Sequence, residues 1–481
     1  MTTISASSDS GSLSFPGPRP LPLLGWKANL LFFGIDPVKF MLRLNREHGP
    51  IVGLAKDSSK YVFAFGPEYV SEVLTNMDVF RATDPDTSPV SAKKDTALAR
   101  ISVGLGAMNG EKHTRQRRLM MPAFSKKRVE AYRDDMVELI DKRLSSWRMG
   151  ETIDVLTELK TITMSIVVKT LLGVDQQRGV VVAQLMERWL GIGLSVSSLA
   201  LPFDIPGLPF HTMLRLAEQL EKEFKGMIAE KRASGIDKSD VLSMLIQARD
   251  EDGSRLTDDE VIAQTQTLFV GGHGTSSNSL AWMLFLLNQH PNVTRALVEE
   301  LDGVLHGNAP TIEQLTNELP LLERVINESL RILPPNPFFI RNVAKPTSLG
   351  RYKLEQGAIV VYSPAVTNRN PDLYPQSNRF LPERWEKIKP GPYEYIPFGA
   401  GPRRCIGMLF AQLQMKLVLA MLLQRYRLEL PEGSQIDRGG MAISHPKAHP
   451  KGGLPMRVMP QNRRFHKPQV KGTVWDIVDL S

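Results

Sequence analysis

The chain has 481 residues, of which 42% are hydrophobic and 23% charged. These are globular values, which exclude a disordered or fibrous polypeptide. The formal net charge of +8 suits an anionic partner, yet no nucleic-acid motif accompanies it, and a single cysteine excludes an internal disulfide framework.

Residues 1–14, "MTTISASSDSGSLS", carry an acid and no basic start. They match neither a secretory signal nor an Arg-rich transit peptide, and are expected to be disordered. No run of about 18 apolar residues follows anywhere, so no membrane span and a cytoplasmic protein are expected. "PGPRPLPLLG" (16–25) is an extended Pro-rich lead-in. "KYVFAFG" (60–66) and "GAIVVYSP" (357–364) read as strands, and most of the rest has helical period. With no repeat and no linker, one domain is expected over 15–460. A tail, 461–481, follows, and its Trp475, Ile477 and Val478 could dock back on the body.

"TDDE", Thr257 to Glu260, is a capping box ahead of an apolar pattern that runs to Pro291. A helix over this span would be about 50 Å long. Its middle, "FVGGHGTSS", holds Gly271, Gly272 and Gly274, each costing about 1 kcal/mol relative to Ala. Either the helix breaks here, or it is thinned so that a flat ligand can lie against its backbone. Further on, "ESLR" sets Glu328 and Arg331 three apart on one helix face, bounded by Pro320 and Pro334.

The lone Cys405 sits in "FGAGPRRCIG" (398–407), among glycines and ahead of the apolar helix "IGMLFAQLQMKLVLAMLLQRY". A buried small hydrophobe is one possibility. At a helix N-terminus, however, the dipole favours a thiolate, and a thiolate presented by a Gly-rich loop is a metal ligand or a nucleophile. No base lies nearby in sequence for a nucleophile.

"FGAGPRRCIG" resembles the haem-binding loop of the cytochrome P-450 family, Phe-Gly-x-Gly-x-Arg-x-Cys-x-Gly, at every specified position. The other landmarks occur in order. "FLPERW" (380–385) resembles the segment whose arginine, here Arg384, completes a buried network with Glu328 and Arg331. "GEKHTRQRRLMMPAF" (110–124) resembles the helix under the haem edge. "GGHGTSS" resembles the oxygen-binding segment, with Gly274 where an acid is usual and Thr275 and Ser276 matching.

The resemblance implies a mainly helical single domain with small β-sheets around haem b, iron protoporphyrin IX, with Cys405 as axial thiolate. It implies cofactor contacts from His113, Arg117, Gly271, Arg341, Phe398, Gly399, Arg403, Ile406, Gly407 and Ala411. Thr275 would order the proton that O–O cleavage needs, and Gly271 and Gly272 would leave room for O₂ and substrate. Phe269, Phe338, Phe339 and Ile443 are substrate-pocket candidates. The implied activity is monooxygenation of an apolar small molecule: a fatty acid, terpenoid, steroid or polyketide-like compound. Electrons would come from NAD(P)H through a reductase and an acidic ferredoxin or flavodoxin. The missing acid at Gly274 keeps a peroxide-using or rearranging enzyme as an alternative, and a non-catalytic haem sensor or carrier is a third.

Overall fold

A computed structural model describes residues 14–20, 25–82, 95–193, 198, 201–234, 240–442 and 445–481. The helices that position the site are, in chain order, α1 (Trp26–Ile35), α2 (Pro37–His48), α3 (Gly110–Met120), α4 (Val155–Ile166), α5 (Gln176–Gly193), α6 (Asp258–Gln289), α7 (Pro320–Ile332) and α8 (Met408–Arg425).

The long helix forms without a break. In α6, Thr257 Oγ1 accepts from the Glu260 N–H, and the Glu260 carboxylate accepts from the Thr257 N–H. Its 32 residues span about 48 Å. The glycines are tolerated because the second half of α6 is buried: Leu280, Ala281, Trp282, Met283 and Phe285 are each 0% exposed. Tertiary packing of that half outweighs the propensity penalty. The turn that follows α4, Val167–Leu172, is wound wider than an α-helix and packs on α6.

The runs around 60 and 360 become strands. Strands β1 (Ile51–Gly53), β2 (Tyr61–Ala64), β3 (Phe80–Arg81), β4 (Phe339–Val343) and β5 (Ile359–Tyr362) make one sheet in the order β1-β2-β5-β4-β3. Only the β2–β5 pair is parallel. β-Branched residues suit β2 and β5 because these strands are buried on both faces along most of their length. A hairpin, β6 (Asp437–Ala442) and β7 (His445–Lys451), packs on α6.

The tail beyond residue 460 is bound to this body. Val470–Lys471 pairs in parallel with Ser434–Gln435, and Val474, Val478 and Leu480 are each 0% exposed. Gly472 adopts φ +117, and a Cβ there would meet the Ile436 carbonyl at 2.3 Å. Arg438 of β6 donates to the Thr473 carbonyl and to both carboxylate oxygens of Asp36, the N-cap of α2. Of the three residues expected to dock, Ile477 and Val478 are buried, while Trp475 is 45% exposed.

Candidate functional site

The cysteine loop is closed by its own backbone. Cys405 N–H donates to the Phe398 carbonyl at 2.9 Å, and Arg404 N–H donates to the Gly401 carbonyl at 3.0 Å. Gly399 at φ +66 and Gly401 at φ +64 occupy the left-handed region that residues with a Cβ avoid. Phe398, Ile406 and Ala411 lie half-buried against the main apolar cluster. The Cys405 side chain is accessible yet crowded by protein. Burial pushes its thiol up, against the Gly407 N–H, Arg117 and Arg404, which favour the thiolate. Helix α8 begins three residues later, and its N-terminus adds to the groups that favour the thiolate. A bound metal cation would reverse that balance, because a coordinating thiol is deprotonated outright.

Four basic side chains converge beside this loop. His113 and Arg117 stand one turn apart on α3, Arg341 comes from β4, and Arg403 comes from the cysteine loop. Burial and the charges of Arg403, Arg117 and Arg341 drive the His113 pKa down to about 4. Burial and Arg341 pull the Arg403 guanidinium down to about 10. Arg403 donates to the Met108 carbonyl and to Asn109 Oδ1, but its buried Nε has no acceptor. Arg341 donates to its neighbouring carbonyl and to Tyr362 Oη at 3.3 Å. Among the described residues no carboxylate pairs with Arg117, Arg341 or Arg403. A concentration of partly buried arginines without carboxylates fits a ligand bearing carboxylates of its own. A thiol next to it fits iron. The donor set therefore fits haem.

Asn109 and Tyr362, which hold these arginines, were not singled out from the sequence. Tyr362 ends a strand and reads only as a sheet residue. The Asn109–Gly110 dipeptide at the start of α3 was the available signal for Asn109.

On α6 the glycines divide by face. A Cβ on Gly271 would meet nothing within 4 Å, whereas one on Gly272 would meet Val167 Cγ2 at 2.8 Å and Leu171 Cδ1 at 3.1 Å. Gly271 thus opens space, and Gly272 instead permits close helix packing, contrary to the role expected for it. Thr275 lies one turn from Gly271, and its hydroxyl donates to the Gly271 carbonyl at 2.6 Å. His273 points the other way. It is buried, with Nδ1 3.2 Å from Thr163 Oγ1 and Nε2 3.5 Å from Glu187 of α5.

Two pocket candidates are corrected. Phe269 is 1% exposed and lies on the His273 side, its ring 6.1 Å from the imidazole. Phe338 is 0% exposed and packs 5.2 Å from Phe33 in a separate apolar cluster. A helix position two residues from Gly271 turns about 200° away, which the sequence period already implies for Phe269. Phe339 is half-buried and stacks on Tyr362 at 5.3 Å. Ile443 lies outside the described residues.

Behind the site, Glu328 is 0% exposed and accepts from Arg331 at 2.8 Å, Arg384 at 3.0 Å and Trp385 Nε1 at 2.9 Å. Burial alone would raise its pKa, but the two arginines hold it below the usual carboxylate range.

A family model described as "Cytochrome P450" matches residues 15–447. Cyclooctat-9-en-7-ol 5-monooxygenase of Streptomyces melanosporofaciens is 31% identical over 87% of this chain and 90% of its own length. Pentalenene oxygenase of Streptomyces avermitilis is 32% identical over 85% of this chain and 91% of its own. Among solved structures, a retinoic acid-bound cyanobacterial member superposes with TM-score 0.78 at 25% identity, over 93% of this chain and 99% of that one. No helix among the described residues is long and apolar enough to cross a membrane.

Proposed function

The chain belongs to the cytochrome P450 family and is a haem-thiolate monooxygenase with Cys405 as the axial ligand, and on that premise we propose that its substrate is a terpenoid. The overall reaction takes RH, O₂, two electrons and two protons to ROH and water. Haem b supplies the activation of O₂ when bound.

The observation that carries the site assignment is the group of His113, Arg117, Arg341 and Arg403, poor in carboxylates, beside the one thiol. In this proposal the three arginines hold the haem propionates, and Tyr362 and Asn109 fix two of the arginines. Thr275 Oγ1 has its proton committed to the Gly271 carbonyl, so its lone pairs are free to accept from a proton-bearing group in the groove. With glycine at 274, that proton is resupplied by water in the space that Gly271 leaves open. His273 does not serve, because its imidazole is turned to Thr163 and Glu187.

A terpenoid is favoured within the apolar classes by the names of the two relatives. The electron donor is proposed to be an acidic ferredoxin or flavodoxin. Lys126, Lys127 and Arg404 are exposed beside the cysteine loop, where the Phe124 ring lies 3.9 Å from a Cβ placed on Gly407. Such a surface steers an acidic partner.

The test is product formation from cyclic terpene alkenes and alcohols in three arms: NADPH with surrogate ferredoxin and reductase, hydrogen peroxide alone, and neither. A product one oxygen heavier in the first arm is expected. Turnover confined to the peroxide arm would replace this reading by the peroxide-using one. Shifts of the ferric spectrum by fatty acids or steroids and by no terpenoid would overturn the substrate class.

A further inference from the structure

A small hollow lies between α2, α6, the turn after α7, β6 and the tail. Its walls are apolar, from Val38, Trp282, Ile332 and Pro337 among others, and among the described residues its only charged side chains are Arg369 and Arg438. Its free space is on the order of one water molecule or one monatomic ion.

The two arginines are served differently. Arg438 has a counter-ion, being bonded by two nitrogens to the Asp36 carboxylate, with Asp476 at 3.5 Å. Arg369 is only 5% exposed and has carbonyl partners alone. It donates to Ala365 O at 2.7 Å, to Ile332 O, and to Ile477 O at 3.3 Å. Its Nε is buried with no acceptor among the described residues.

The charges that face Arg369 are the guanidiniums of Arg331 and Arg438 and the carboxylate of Glu328. Glu328 is already shared by Arg331 and Arg384. The neighbourhood therefore carries a buried surplus of positive charge. Burial and the two neighbouring arginines accordingly pull the Arg369 pKa down to about 9. A buried charge is ordinarily paired, since an isolated one is costly to desolvate.

We propose that the hollow is a halide site, in which one chloride ion accepts the Nε–H of Arg369 and neutralises its guanidinium. A water molecule would satisfy Nε but leave the charge. Carboxylates, phosphate and sulfate exceed the space. Chloride and bromide are less strongly hydrated than fluoride, so their cost of leaving water is smaller and the guanidinium they pair with can offset it. The ion would tie the turn at 364–369 to the tail through the arginine it neutralises.

The test uses the haem-loaded full-length protein. In crystals soaked in bromide, an anomalous scattering peak is expected within hydrogen-bond distance of Arg369 Nε. In solution, Tm in chloride should exceed Tm in gluconate of equal ionic strength by about 2 °C, for an ion present at roughly ten times its Kd. Fluoride should give no such rise, and Arg369→Gln should abolish the difference. Density holding only a water molecule in the bromide crystals, equal Tm in chloride and gluconate, or a chloride response kept by Arg369→Gln would each overturn the proposal. The crystal and the salt comparison stand even where the variant fails to fold.

Discussion

At Thr275 a single hydroxyl is asked to do what a threonine beside an acid does elsewhere in the family resemblance. Its bond to the Gly271 carbonyl fixes the rotamer, so replacing it removes both an acceptor and its placement. Thr275→Ala is expected to divert reducing equivalents to hydrogen peroxide, lowering product per NADPH while peroxide release rises. His273→Ala should lower coupling far less, since the imidazole faces α4 and α5. Equal coupling in Thr275→Ala and the parent would remove Thr275 from the proton path. His113 gives a pH prediction for the haem-free protein. Its pKa falls from the ordinary 6.5 to about 4 on folding, so between those values the unfolded chain binds more protons. Stability is then complete above about pH 6.5 and declines as pH falls towards 4. Urea midpoints at pH 5 and 7 should differ more for the parent than for His113→Gln. The thiol, the arginines and Thr275 were all legible as residue types in short motifs. The partners that aim them were not, because Tyr362 and Asn109 come from segments whose local pattern speaks only of a strand and a turn.

Between neighbouring glycines of α6 the same substitution should act in opposite directions. Gly271→Ala adds a methyl in open space and gains about 1 kcal/mol of helix propensity. It also fills the groove beside Thr275, and turnover should fall about tenfold, as one methyl in a shaped pocket commonly does. Gly272→Ala drives its methyl into Val167 and Leu171. An overpacking cost of about 1–3 kcal/mol exceeds the propensity gain, for a net loss on the order of 1 kcal/mol. Thermal melts paired with turnover of both variants check this. If Gly271→Ala is inert in turnover, the groove is not where the chemistry occurs. The capping box and the apolar period made the helix visible in the sequence. Which glycine faces a ligand and which faces a helix was not visible, because the neighbour that decides it is a π-wound turn some 100 residues earlier. Phe269 fails as a pocket residue for a related reason: it is near the motif in sequence but lies on the His273 face of the helix, away from Gly271.

For the whole molecule, the surplus of positive charge is a statement about association more than about fold. Lys126→Glu with Lys127→Glu should slow electron transfer from an acidic ferredoxin by about tenfold at low salt, with the difference shrinking at high salt. Substrate affinity should not change, and an unaltered rate at low salt would place the docking face elsewhere. The tail is the part of the architecture least visible in advance. Its apolar residues signalled attachment, but the place of attachment depends on Arg438, Asp36 and Asn378, which lie far off in sequence. Val478, 0% exposed, makes the test simple: Val478→Ala should cost roughly 2 kcal/mol, read as a lowered denaturation midpoint. A midpoint equal to that of the parent would mean the tail does not bear on the body.

The clasp of Arg438 on Asp36 joins residues 402 positions apart. At about 5–20 residues per second of synthesis, the N-cap of α2 waits roughly 20–80 s for its partner to leave the ribosome. Lys39, which pairs with Asp476 at 3.1 Å, waits longer still. The first helices are thus among the first made and among the last secured. Through that interval the apolar cluster that α1 and α2 share with β1 and β2 lacks its clasp to the later segments, and a holding chaperone that grips it should raise the yield of folded enzyme more than one that acts after release.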